Sequence, residues 1–266
     1  MRREDKFVEI WRVTKEFPTK KAPLAVVKDF ELTIARGELC CLLGHSGCGK
    51  STVLSMVAGL TTTTRGSIIV DDKEVVAPGP DRAVVFQSPT LFPFMTALGN
   101  VRLAVDQVHP KKSAAERDAL AKKYLELVGM GDAGAASPNA LSQGMRQRVG
   151  IARAFALSPR MLLLDEPFGM LDSITRVELQ QTLVDIWSEH KITALMVTHD
   201  VDEALFLADR IVLMTNGPEA RVGKIIDVPF ERPRDRFAVI EDPRYDVLRD
   251  EMLAFLEEND PHAAVA

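Results

Sequence analysis

The sequence has few cysteines, no long apolar run and no excess of positive charge. Its 266 residues include three cysteines, Cys40, Cys41 and Cys48, close together and without a second cluster. That spacing excludes a disulfide framework and argues against a structural zinc site. No apolar stretch approaches the ~18 residues that cross a bilayer. The charged start Met1-Arg2-Arg3-Glu4-Asp5-Lys6 leads into no apolar segment that would read as a signal peptide. Lysine plus arginine number 33 against 38 aspartates and glutamates, a formal charge of −5. A mildly acidic chain lacks the basic footprint of a nucleic-acid coat, so no nucleic-acid partner is expected. Internal repeats and low-complexity tracts are also missing. What is present is 46% hydrophobic and 27% charged residues, the balance of a globular chain with a sizeable core in a reducing compartment. At roughly 100–200 residues per domain, this is one large domain, or one with a small appendage.

Periodicity divides the chain. Val8–Val13 and Val26–Ile34 alternate apolar and polar residues as half-buried strands do, with a loop or hairpin tip expected at Phe17–Lys21 around Pro18. Glu38–Leu43 is an unbroken apolar run that suits a strand buried on both faces of a parallel sheet. Ser51–Leu60 has helical spacing, and Ser67–Val70 and Ala83–Phe86 are further strand candidates. Residues 97–130 and 142–157 carry helical patterns and read as a mainly helical insertion. Met161–Leu164, Ile192–Val197 and Ile211–Met214 read as strands again, with helical segments at 173–189 and 201–208 between them. Alternation of this kind predicts a parallel sheet with helices on both sides. Pro229 and Pro233 punctuate a loop, and residues 243–257 form a last amphipathic helix.

One motif names a chemistry. Gly44-His45-Ser46-Gly47-Cys48-Gly49-Lys50-Ser51 fits G-x-x-x-x-G-K-[ST], between a predicted strand and a predicted helix. Glycines let backbone N–H groups turn inward around phosphates, and the helix N-terminus adds partial positive charge. Lys50 would reach the β- and γ-phosphates, and the Ser51 hydroxyl would ligate Mg²⁺. Cys48 within the loop reads as a small residue that fits there, with a redox role as the alternative because helix N-termini lower thiol pKa. Met161-Leu162-Leu163-Leu164-Asp165-Glu166-Pro167 is an apolar strand ending in two carboxylates. In a parallel sheet such a strand ends on the edge that carries the phosphate loop. Asp165 suits Mg²⁺, through water, and Glu166 suits a general base acting on water.

The stretch Leu141-Ser142-Gln143-Gly144-Met145-Arg146-Gln147-Arg148 resembles the ABC-transporter signature, usually LSGGQ or LSGGM followed by [KR]QR. Ser142 would cap a helix whose N-terminus faces an anion. Other elements follow in the family's order. Gln87 resembles the Q-loop glutamine, Leu171-Asp172 the D-loop, and His199 of Thr198-His199-Asp200 the switch histidine. Phe17 resembles the aromatic that stacks on adenine, with Trp11 as the alternative. The departure is Gln143, where the family has glycine; a position that needs φ > 0 would make glutamine costly.

The resemblance implies an α/β fold, the P-loop NTPase ABC cassette, with a mostly parallel core sheet, an N-terminal antiparallel β region and a helical subdomain at about 88–158. The cassette would span residues 1–236 and a helical tail 237–266. ATP and Mg²⁺ are the implied ligands. Nucleotide binding falls to Phe17 and to Gly44, His45, Ser46, Gly47, Cys48, Gly49, Lys50, Ser51 and Thr52. Mg²⁺ falls to Ser51, Gln87 and Asp165, and catalysis to Glu166, His199 and Gln87. Ser142, Gln143 and Gly144 would meet the ATP of a second cassette, with Asp172 in the D-loop. That second cassette would be an identical or paralogous chain. ATP would glue the two together and hydrolysis would release them. The further partners implied are integral membrane permease subunits and, indirectly, a periplasmic or lipid-anchored substrate-binding protein. The place would be the cytoplasmic face of the inner membrane.

Gly44–Gly49, Pro78-Gly79-Pro80-Asp81-Arg82, Val197–Ala204, Thr215-Asn216-Gly217-Pro218, Arg232-Pro233-Arg234 and Pro243-Tyr245-Leu248-Arg249 resemble the nitrate, nitrite and cyanate importer ATPases. Sulfonate, taurine and bicarbonate importers are the related alternatives. A soluble non-transport ABC ATPase is a further one, opposed by the single cassette and the lack of long heptads. The apolar residues Pro89, Leu91, Phe92, Pro93, Phe94 and Met95 would line a groove for a permease helix. About 50 residues after Thr215 are too few for a regulatory barrel.

Overall fold

The structure is a computed structural model that describes residues 6–20 and 22–260. The described residues form two compact units, one reaching to Pro78 and resuming at Thr193, the other Gly79–Ile192.

The first unit holds an antiparallel sheet of β1 (Lys6–Phe17), β2 (Leu24–Ala35), β4 (Arg65–Val70) and β5 (Lys73–Glu74), in the order β2-β1-β4-β5. The expected strand Val8–Val13 is longer than its alternation. Arg12 adopts a φ of 44°, and the register to β2 shifts between Ile10 and Val13. An extra residue at a bulge inverts the parity of every side chain beyond it, so the period-2 signal stops while the ladder continues. Phe17 therefore closes β1, opposite Leu24, rather than opening the loop; Lys21, at the expected tip, lies outside the described residues.

β3 (Leu39–Leu43) is buried at every position, as an unbroken apolar run predicts for a strand covered on both faces. It runs parallel to β8 (Thr193–Thr198) on one side and β9 (Arg210–Met214) on the other, and β10 (Val222–Asp227) pairs antiparallel with β9. α1 (Lys50–Val57) follows β3 and stops before Gly59, whose φ is 76°. α6 (Val201–Leu207) follows β8, and α7 (Arg236–Glu241) and α8 (Pro243–Glu258) complete the described chain.

In the second unit, β6 (Arg82–Val85) and β7 (Met161–Asp165) are parallel neighbours. Three helices lie between them in sequence: α2 (Ala97–Val108), α3 (Ala114–Leu127) and α4 (Gln143–Ala156). The pattern at 97–130 divides because Ser113 and Glu116 form a reciprocal capping box that starts a new helix. α5 (Ser173–His190) follows β7. Among the described residues, no helix is long and apolar enough to cross a membrane.

Candidate functional site

Parallel pairing places the candidate residues in matched positions. In the first unit Leu43 pairs with Thr198, so the Gly44 loop and His199 leave neighbouring strands at one edge. In the second unit Val85 pairs with Leu164, so Gln87 and the Asp165-Glu166 pair also leave at one edge. Strand ends of this kind are where α/β sheets gather ligand groups.

The Gly44–Ser51 loop bends through positive φ at Gly47 (81°) and Gly49 (98°), and Gly49 caps α1. At Gly49 a Cβ would also come within 2.9 Å of Val27. The loop folds back on Lys50, which is only 4% exposed. Its Nζ donates to the carbonyls of Gly44 at 2.7 Å and His45 at 2.8 Å. A buried ammonium held by neutral carbonyls, beside a helix N-terminus, has the chemistry to take an anion. Ser51 is exposed at the head of α1, Thr52 is half-buried, and Ser46 and Gly47 are exposed.

Cys48 is buried, and burial pushes its thiol up from the usual range. Cys40 and Cys41 are raised by the same cause. Reactive thiols need the opposite shift, so Cys48 acts here as a small packing residue. Phe17 is 39% exposed with the Lys15 ammonium 5.0 Å above its ring, and Trp11 is 61% exposed beside Arg12.

In the second unit Glu166 has a φ of 44°. A left-handed glutamate costs on the order of 1–2 kcal/mol, and such residues concentrate at functional positions. The conformation turns its carboxylate to Gln87, whose Nε2 donates to Oε2 at 3.0 Å. With Nε2 engaged, the amide oxygen of Gln87 is the atom that remains for a cation. Ser51 in the first unit carries a hydroxyl oxygen, and Gln87 and Asp165 in the second carry an amide and a carboxylate oxygen, each the hard donor type that suits Mg²⁺.

Ser142 caps α4, its Oγ accepting from Met145 N at 3.2 Å. Gln143 is the first residue of that helix, and its φ is not positive. Glycine's freedom is therefore not required there. Gly144 differs: a Cβ would come within 2.5 Å of the Thr175 methyl. Asp172 caps α5 by accepting from Thr175 N at 3.0 Å, and that backbone bond lowers its pKa. Two braces were not legible as such. Arg146 Nη1 donates to the Leu141 carbonyl at 2.6 Å, and buried Gln147 donates to the Phe86 carbonyl at 3.2 Å, just before Gln87. Only their place within a basic-glutamine-basic run could have flagged them.

Beyond Gln87, Pro89, Leu91, Phe92, Pro93, Phe94 and Met95 are all exposed or half-buried. Phe92 is clamped by Asn100, which accepts from its N–H at 2.7 Å and donates to its carbonyl at 3.2 Å. Of these six, Phe92 alone lines the open groove of about 540 Å³, whose other walls include Thr90, Leu103, Gln107 and Arg153, so the expected apolar lining is corrected to one residue of the stretch.

With this geometry in hand, comparison with known proteins is specific. Residues 27–169 match the ABC transporter family. The chain is 53% identical over 260 residues to the bicarbonate transport ATP-binding protein CmpD of Synechocystis, covering 98% of this chain and 92% of that one. It is 51% identical over 244 residues to the nitrate import ATP-binding protein NrtD of Synechococcus elongatus, covering 92% and 89%. A solved dimeric bacterial ABC transporter cassette superposes with a TM-score of 0.76 at 31% identity, covering 84% of this chain and 100% of that one.

Proposed function

The chain belongs to the ABC transporter family, and from that premise we propose that it is the ATP-hydrolysing subunit of an importer for a small oxyanion. The observation that carries the reading is similarity along nearly the whole chain to ATP-binding proteins named for nitrate and bicarbonate. The sequence favours nitrate or nitrite, or cyanate, while the relatives divide between nitrate and bicarbonate. What those two ions share is a planar, singly charged frame of one central atom and three oxygens, and that class is the proposed cargo.

In this reading the Gly44–Thr52 backbone wraps the phosphates of ATP, Lys50 moves from its carbonyls to the β- and γ-phosphates, and Phe17 stacks on adenine. Mg²⁺ held by Ser51, Gln87 and Asp165 (the last through water) would neutralise phosphate charge. Glu166 accepts the proton of the attacking water, Gln87 orients it, and His199 steadies the γ-phosphate. Ser142, Gln143 and Gly144 face the ATP of a second cassette, with Asp172 beside them. ATP then favours the closed pair and hydrolysis the open one. The groove of about 540 Å³ at Phe92 would seat a cytoplasmic helix of a membrane permease, and the chain would then attach peripherally at the cytoplasmic face. A substrate-binding protein delivers the ion outside.

Uptake by cells with and without the chain tests the cargo. Nitrate or bicarbonate uptake should be lost and taurine uptake kept; intact uptake of both oxyanions would overturn the proposal. The signature departure is testable too. Because Gln143 has ordinary helical backbone, Gln143→Gly should leave ATP turnover within about twofold. A tenfold fall in phosphate release would instead give the glutamine side chain a role of its own.

A further inference from the structure

The phosphate loop is fastened from outside by a segment 211 residues away. His45 Nε2 lies 2.8 Å from the Leu256 carbonyl. A carbonyl can only accept, so Nε2 carries the proton. Leu256 sits in the last turn of α8, where carbonyls have no partner further along the helix. It also accepts from Asn259 N at 3.1 Å.

α8 is itself firmly seated. Tyr245 Oη and Arg249 Nε each donate to Asp202 of α6 at 2.8 Å. Lys224 of β10 pairs with Glu251 at 2.6 Å. Met252 is fully buried, and the Phe255 ring lies so close to Gly223 that a Cβ there would come within 2.3 Å of it. α8 is thus held from α6 along its first half and from β10 near the end that meets His45.

We propose that α8 is a strut for the phosphate loop, and that His45 is a positioning residue acting through the loop backbone on Lys50. The inference rests on the ATP-binding reading of that loop. Two restraints hold the loop's wrapped shape. Lys50 bonds the carbonyls of Gly44 and His45 from inside, and α8 bonds the His45 ring from outside. When Lys50 transfers to phosphate, the inner restraint is given up and the outer one remains. The strut therefore keeps the loop's N–H groups converging on the nucleotide at the moment they are needed. Preorganisation of this kind strengthens binding without touching the ligand.

The test is ATP-titrated phosphate release by the full chain, with thermal melting to confirm folding. His45→Ala should raise KM for ATP by roughly three- to tenfold, the worth of one hydrogen bond, and leave kcat within about twofold. His45→Gln, which can still donate to Leu256, should recover most of the ATP affinity that His45→Ala loses. Gly223→Ala, outside the loop, should raise KM at least about twofold by displacing Phe255 and the end of α8. The double variant should not exceed the larger single effect, because both break one link. An unchanged KM in His45→Ala or in Gly223→Ala, or effects that multiply, would overturn the strut. Should His45→Ala unfold, Gly223→Ala carries the same test. Lys50→Ala separates the two readings. If it kills turnover while His45→Ala leaves KM unchanged, only the strut fails; if it leaves turnover intact, the ATP reading fails.

Discussion

Lys50→Ala should reduce ATP turnover by about a hundred- to a thousandfold, the scale seen when a preorganised donor to developing charge is removed. Lys50 is a charge kept almost wholly from water, at 4% exposure, and its partners are the Gly44 and His45 carbonyls at 2.7 and 2.8 Å. Carbonyls compensate a buried ammonium only in part, so an arriving phosphate competes well for it. Alanine removes both that attraction and the inner restraint on the loop, and nucleotide affinity should fall together with kcat. Lys50→Arg should fail as well. Its guanidinium keeps the charge, but a planar fork cannot replace a compact ammonium between two carbonyls of a closed loop. Phosphate release across an ATP titration checks both variants, with melting curves to show that they fold. Turnover at the wild-type rate in Lys50→Ala would remove the phosphate-loop assignment.

The sequence told most where chemistry is local. The phosphate loop, the Asp165-Glu166 pair and the Ser142 cap each lie within a few residues of the element that positions them, so spacing exposed them. Where the cause is a distant partner, spacing was silent. The Gln147 bond to Phe86 spans 61 residues and the His45 bond to Leu256 spans 211. Neither pair has a signature that one strand or helix could carry. Parity failed in a different way at Arg12: the bulge moved Val13 and Thr14 to buried positions side by side, which looks like the end of a strand and is its middle. At Gln143 glutamine would be costly only if the position needed positive φ. Glycine in a family pattern suggested a need for positive φ, yet the residue opens α4 with ordinary backbone. The steric demand sits one residue later, at Gly144 against Thr175.

Glu166→Gln should separate binding from chemistry. Turnover is expected to fall by about 10²- to 10⁴-fold, the contribution of a positioned general base, while ATP is still bound. Glutamine matches glutamate in shape, so it can occupy the same left-handed turn, at φ 44°. Its side-chain oxygen can accept from Gln87 Nε2, the bond that glutamate makes at 3.0 Å. What changes is the charge and the ability to take a proton from water. A purely structural role for Glu166 would therefore survive the substitution, and a basic role would not. If ATP joins two chains and only hydrolysis parts them, the variant should elute with ATP as a dimer on size-exclusion chromatography and revert slowly on dilution. A variant that remains monomeric with normal turnover would exclude Glu166 as the base. A dead variant that stays monomeric with ATP would keep the base and discard the ATP-held pair, because the same substitution reads the proton transfer and the clamp through separate measurements.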